Sequence, residues 1–106
     1  MSLKINLNTG NGQASFETAK LIGKLDALIL NSNYKVELMI ESEYGYLIFK
    51  DTVEGIRYVA PRIVASNVNQ SAMEMPNSER FNLDEKLIVT VIGQNNVDVS
   101  VEIRFE

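Results

Sequence analysis

The side chains of this chain that could do chemistry are carboxylates and hydroxyls, because the sequence contains neither cysteine nor histidine. It therefore has no thiol nucleophile, no disulfide, no thiolate zinc site and no Ser-His-Asp triad. An acid and base pair would have to come from Glu41, Glu43, Asp51 and Glu54. Such a pair needs a cleft that raises the pKa of one acid, and a small domain without tryptophan has little surface to grip a sugar chain. We expect no enzyme and no catalytic residue.

Two stretches rich in glycine and asparagine could be taken for ligand-binding loops, residues 8–12 (NTGNG) and 93–96 (GQNN). They offer amides and carbonyls but no clustered carboxylates for calcium. Residues 8–12 also lack the strand, glycine loop and helix context of a phosphate cradle. Both stretches are typical of hairpin turns, so we expect no cofactor and no metal.

Three tyrosines could form a ligand surface. Tyr44 and Tyr46 flank Gly45, and together with Tyr58 they could make a stacking platform for a sugar or a base. Tyrosines at strand ends, with the ring buried and the hydroxyl in water, explain them equally well. The platform defines an alternative function, a monomeric module that binds a carbohydrate or a peptide. We do not expect a small-molecule ligand.

Residues 67–84 show no sustained period of either helix or strand, and a connection of this length is uncommon inside a compact domain. We predict a long loop or arm there. Flexible apolar side chains in an otherwise polar loop are typical of an adaptable contact surface. The expected partner contacts are Met73, Met75, Pro76 and Phe81.

The composition limits the organisation and the partners. The 106 residues, of which 45% are apolar, suffice for a single domain over residues 1–106. The net charge of −4 repels nucleic acid and anionic membranes, and no dense cluster of Lys and Arg opposes it. There is no apolar run near the roughly 18 residues that would span a bilayer, and no signal peptide at the start. We expect a soluble protein with no nucleic-acid or membrane partner.

The second half of the chain carries the clearest strand patterns. Residues 97–105 alternate apolar and polar side chains, which predicts a strand with one face in the core. Residues 87–92 are apolar on both faces, so we place this strand centrally. The last strand is predicted beside it, joined through residues 93–96.

The first half predicts further strands and turns. Residues 3–8 and 14–17 read as a hairpin. Residues 19–30 fit a helical stripe or a strand, and the β-rich neighbours favour a strand over 24–30. Further predicted features are a turn at 31–33, a hairpin over 34–50 with its turn at 43–45, and a turn at 52–55.

Eight or nine short strands with turn residues at their ends predict an all-β fold. The expected architecture is an antiparallel two-layer sandwich, jelly-roll-like, or a small barrel of about eight strands.

The stretches LKINLNTGNGQASF, GKLDALIL, GYLIF and GIRYVAPR, followed by a β-rich end, give the chain a family resemblance. In order and size it resembles the small all-β structural proteins of tailed bacteriophages and prophages, which are decoration, head-completion or tail-associated subunits. The resemblance implies a virion protein, assembled in the bacterial cytoplasm, that is a homo-oligomer or binds other virion proteins. We expect a structural subunit that assembles through exposed strand edges and the long loop.

Overall fold

The chain folds into antiparallel β-strands. The computed structural model describes residues 1–64 and 78–106, and these contain no helix. The predicted all-β fold is confirmed. The described strands are β1 (Ser2–Asn8), β2 (Gln13–Glu17), β3 (Leu21–Ser42), β4 (Leu47–Val59), β5 (Ile63–Val64), β6 (Ser78–Glu79), β7 (Asn82–Glu85), β8 (Leu87–Ile92) and β9 (Asp98–Phe105).

β3 organises the fold because four of the six other strands of the main sheet pair with it. The sheet has the order β1-β9-β3-β8-β2, and β4 and β7 also pair with β3. The first half of β3 lies between β9 and β4, and its second half lies between β8 and β4. Of the ambiguous residues 19–30, residues 21–30 are strand, with Leu25, Leu28 and Leu30 buried.

The predicted turn at residues 31–33 is wrong, because β3 continues through them as a bulge. Three residues of β3, between Ser32 and Val36, stand opposite a single residue of β4. The Ser32 hydroxyl donates a hydrogen bond of 2.6 Å to the Tyr34 carbonyl, so a local polar contact replaces ladder pairing here. Short polar residues thus mark a bend within the strand instead of a reversal of the chain.

β4 bends at the same place, which explains why the predicted turn at residues 52–55 is also wrong. Gly55 pairs with Ser32 and has a φ of 78°, a value that glycine reaches without steric cost. The predicted hairpin over residues 34–50 is confirmed as the β3–β4 connection, with Gly45 in its turn at a φ of 96°.

The two ends of β3 meet, so the sheet curls back on itself in a barrel-like way. β7 pairs with the start of β3, where Leu21 faces Glu85. β8 pairs with the end of β3, where Ser42 faces Leu87. Only Lys86 separates β7 from β8, so one continuous stretch of chain spans both ends of β3.

The hairpins predicted around residues 8–12 and 93–96 are wrong, because the strands that these turns connect pair with other partners. β1 pairs with β9 and β2 pairs with β8. β9 pairs with residues 25–32 of β3 and β8 with residues 37–42, so β8 and β9 do not pair with each other and the last strand is not beside β8 as predicted. The two turns instead bond to each other: the Thr9 N–H donates to the Val97 carbonyl, and the Gly93 N–H donates to the Gly12 carbonyl.

The core lies between the two halves of the sheet. The predicted alternation of the last strand is confirmed, since Val99, Val101 and Ile103 are buried. Inward side chains of β8 and of the second half of β3 join the same apolar cluster. The outer faces of the two halves therefore point away from each other. On β8 the outward Ile92 is half exposed, so this strand is less completely covered than its apolar sequence predicts.

The segment predicted as a loop or arm is partly sheet. Within residues 67–84, β6 pairs with β5 and β7 pairs with β3, so the loop prediction is wrong for residues 78–79 and 82–84. β7 forms because Leu83 is buried against the body. Residues 67–77 lie outside the described residues. No helix that could cross a membrane occurs over residues 1–64 and 78–106.

Candidate functional site

A buried carboxylate lies where the two ends of β3 meet. The Glu85 side chain is 4% exposed, and its Oε2 accepts hydrogen bonds from the Ser42 hydroxyl at 2.8 Å and the Tyr46 hydroxyl at 2.6 Å. The Tyr46 ring stacks on Phe81, with 6.0 Å between ring centroids and 3° between planes. We call these four residues the Glu85 junction. It joins β3, the β3–β4 turn and the chain around β7.

The electrostatics of the Glu85 junction keep Tyr46 protonated. Burial, and then the hydrogen bond to Glu85, raise the pKa of Tyr46 to about 12. Its hydroxyl is therefore a donor throughout the physiological range and not a base or a nucleophile. Outside the junction, Tyr46, Leu47, Phe81 and Asn82 line an open, mostly apolar cleft of about 420 Å³.

The three tyrosines of the predicted ligand platform do not come together. Tyr44 and Tyr46 share the β3–β4 turn, and Tyr44 is largely exposed. Tyr58 pairs with Ile29 near the far end of the 13-residue β4. Tyr46 instead contacts Phe81, which was expected to bind a partner.

The predicted partner contacts are placed only in part. Phe81 is half-buried, and its backbone carbonyl accepts a hydrogen bond of 2.9 Å from the Leu25 N–H. It packs on the body of the protein through Tyr46. Met73, Met75 and Pro76 lie outside the described residues.

Two of the four carboxylates considered as an acid and base pair, Asp51 and Glu43, have other partners. Asp51 accepts a hydrogen bond of 2.8 Å from the Arg57 guanidinium, which lowers the pKa of Asp51. Glu43 Oε2 accepts a hydrogen bond of 2.7 Å from the Lys86 N–H. No group of three or more acids that could hold a metal occurs among the residues that the structure describes.

One spacing that sequence reasoning missed is Ser32 followed by Lys35, which matches the serine-x-x-lysine pattern of some serine enzymes. Ser32 is buried within the β3 bulge, and its hydroxyl donates to the Tyr34 carbonyl. In this structure the Ser32 hydroxyl therefore serves the bend of β3.

The outer side of β4 is an open strand edge. In the described part of the chain β4 pairs with β3 alone. Asp51 pairs with the buried Leu38, and Arg57 pairs with the buried Leu30. Directly paired residues share a face of the sheet, so both charged side chains project from the core-facing side of the edge strand. Inward-pointing charges of this kind discourage the addition of another strand.

The opposite face of β4 carries two exposed apolar side chains. Ile56 is 64% exposed and Tyr58 is 74% exposed. They point outward in register with Asn31 and Ile29 of β3. We call Ile56 and Tyr58 the β4 strip. Sequence reasoning missed Ile56 as a surface residue, because its alternation with Arg57 predicts that Ile56 faces the core and Arg57 the solvent.

Comparisons of this chain with protein-family models, with curated proteins and with solved structures gave no match.

Proposed function

We propose that this protein is a non-enzymatic structural subunit that assembles with copies of itself or with other proteins through the β4 strip. The supporting observation is the exposure of Ile56 and Tyr58 beside an open strand edge. Apolar and aromatic side chains that converge on one face are a common basis of protein interfaces, where the centre of the contact excludes water.

The charges at the edge shape the proposed contact. Asp51 and Arg57 form an ion pair on the core-facing side of β4, which opposes pairing with a strand of another molecule. The outward face of the same strand has no such obstacle at Ile56 and Tyr58. Assembly through the face of β4 beside its edge is therefore favoured over extension of the sheet.

The resemblance to phage structural proteins supports a further step in the proposal. We place the subunit in a phage or prophage particle, where repeated weak contacts add up through symmetry. Mass spectrometry of purified particles from the source cells tests this step, and the proposal predicts the protein among their components. Particles that consistently lack it would rule out the virion role and leave the assembly role open.

The β4 strip is tested with the double variant Ile56→Ser/Tyr58→Ser. Light scattering coupled to size exclusion should show oligomers of the unmodified protein, with a mass that rises with concentration. The variant should stay monomeric. The control Ile22→Ser/Tyr44→Ser removes the same residue types from two other exposed positions and should assemble normally.

Two outcomes would contradict this proposal. An unmodified protein that stays monomeric at high concentration and captures no other virion protein would exclude an assembly role. Equal loss of assembly in the variant and the control would show that general surface polarity is responsible and that the β4 strip is not.

We also propose that residues 67–77 supply a second contact through their methionines. Met73→Ser/Met75→Ser should weaken assembly while leaving the melting temperature unchanged, because flexible apolar side chains gain contact area only when a partner covers them. Unchanged assembly would remove this segment from the proposal.

A further inference from the structure

A polar notch opens where β3 leaves β9. The β3–β9 ladder ends at Ser32, which faces Val99, and the β3–β8 ladder begins at Glu37. The bulge of β3 occupies the interval between the two ladders. The notch has a volume of about 360 Å³, within the usual size range of small ligand sites, about 300–1,000 Å³.

The notch is lined by hydrogen-bonding side chains from three strands. Ser100 of β9 faces Asn6 of β1 on one side and Asn31 of β3 on the other, which forms one row across the sheet. Because neighbouring strands lie about 4.8 Å apart, these groups repeat at that spacing along the row. Asn33 extends the lining from the bulge.

These amides are available to a ligand. Asn6, Asn31 and Asn33 are all exposed. Asn8, by contrast, is engaged within the protein: its Nδ2 donates to Asp98 Oδ1 at 2.8 Å and to Asn96 Oδ1 at 3.0 Å, and its Oδ1 accepts from the Gly10 N–H. Asn8 and Asp98 thus form a fixed wall beside the three exposed amides.

The chemistry of the lining selects the class of ligand. An amide offers two donors and an acceptor, and a sugar hydroxyl is both donor and acceptor, so the two match in any orientation. Among the residues that the structure describes, no lysine or arginine lines the notch, and Asp98 adds a negative charge, so an anionic ligand is disfavoured. A cation such as calcium needs several converging carboxylates, and the single one here is bonded to Asn8.

We propose that this notch, with Asn6, Asn31, Asn33 and Ser100 as its contacts, binds a neutral oligosaccharide. The notch adjoins the β4 strip, because Asn31 pairs with Ile56, while Ser100 and Asn6 lie on the two strands beyond it. The inference does not rest on the assembly role, because its test follows asparagine side-chain signals and not the mass of the protein. Each sugar hydroxyl seated on the row would compete with solvent for an exposed amide. Affinity would be modest, as it is for open, water-exposed polar sites.

The test uses the full chain labelled with ¹⁵N and follows the side-chain amide signals of asparagine. The probes are maltotetraose, cellotetraose, chitotetraose and mannotetraose, each added to millimolar concentration. At least one should produce saturable shifts at Asn6, Asn31 and Asn33. The double variant Asn6→Ala/Asn31→Ala should bind that probe about tenfold more weakly or worse, since it loses two amide contacts.

The matched control is Asn11→Ala/Asn82→Ala, which removes two exposed amides elsewhere and should leave binding unchanged. Melting curves of both variants verify folding. The inference is overturned if none of the four probes shifts the notch signals saturably, or if the notch variant binds as tightly as the control. Two further probes test the ligand class, calcium chloride alone and an anionic sugar such as sialyllactose. If either shifts the same signals to saturation, the assignment to neutral sugars is wrong.

Discussion

Glu85 is the one ionisable side chain that is buried among the described residues, and its position shows what a buried charge requires. A carboxylate out of water is tolerated when hydrogen-bond donors satisfy it. Ser42 and Tyr46 supply two donors from the far end of β3, and the Asp84 N–H approaches Oε1 at 3.3 Å. Glu85 thus fastens the start of β3 to its end.

Removing the phenol at the Glu85 junction should weaken the fold. We expect Tyr46→Phe to lower the free energy of unfolding by about 1.5 kcal/mol, because a bond to a charged acceptor is lost while the ring stack on Phe81 remains. Tyr44→Phe is the control, since Tyr44 is exposed in the same turn. Urea unfolding of both variants measures the difference. If the two variants lose the same free energy of unfolding, the hydrogen bond from Tyr46 to Glu85 does not stabilise the fold.

The same phenol should make stability depend on pH in the alkaline range. The pKa of Tyr46 is raised from 10.0 to about 12 in the folded protein. A raised folded pKa contributes stability that is complete below the unfolded value and is lost as pH rises through the folded one. The stability difference between the unmodified protein and Tyr46→Phe should therefore shrink between about pH 10 and pH 12. A difference that stays constant across this window would contradict the assignment.

At the scale of the elements, Thr9 holds the two crossing turns together. It is fully buried, and its hydroxyl donates to the Gln94 carbonyl at 2.6 Å while accepting from the Val97 N–H at 2.8 Å. The turn after β1 is thereby attached to the turn before β9. These two hydrogen bonds hold both short turns in place, although neither turn connects two strands of a hairpin.

We expect Thr9→Val to destabilise the protein by about 2 kcal/mol, because valine keeps the shape, leaves the buried Val97 N–H without its acceptor and removes the partly buried bond to the Gln94 carbonyl. Thr52→Val, at an exposed position of β4, is the control and should have a small effect. Thermal and urea unfolding provide the measurement. A loss of stability no larger than that of the control would mean that water replaces the hydroxyl.

The strands were predictable from sequence, and their partners were not. The alternation in β9 reports which face meets the core, and this pattern is local to a few residues. The glycine and asparagine patterns that predict turns are also local. They do not indicate whether the two strands that a turn connects pair with each other. That choice depends on distant contacts such as Thr9 with Val97. The bend at Ser32 was read as a turn because the same short polar residues serve both structures.

The candidate site was predictable to a smaller degree. Tyr46 and Phe81 were each singled out as surface contacts, but their stacking depends on Glu85 being buried between strands far apart in sequence. Glu85 alternates with the buried Leu83 and Leu87 while Asp84 is exposed, and this signal was missed because residues 67–84 were predicted as a loop. The polar notch was missed because its amides meet only after three strands align.

At the scale of the whole molecule, the open edge of β4 governs solubility. We expect Asp51→Val/Arg57→Val to aggregate faster in light-scattering assays, because it removes the inward charges that protect an edge strand. Glu102→Val/Arg104→Val removes an ion pair from β9, which is paired on both sides, and serves as the control. Aggregation that is equally fast in both variants would attribute the effect to added apolar surface and not to the edge.

The placement of β3 has a consequence during synthesis. Its 22 residues are synthesised long before β9, yet Leu25 pairs with Phe105 and Leu28 with Ile103 of that strand. The central strand therefore lacks these partners until much later in synthesis, and contacts between such distant segments form slowly. We expect stalled nascent chains to stay protease-sensitive until β9 clears the exit tunnel, and earlier protection would show that a partial sheet is stable alone.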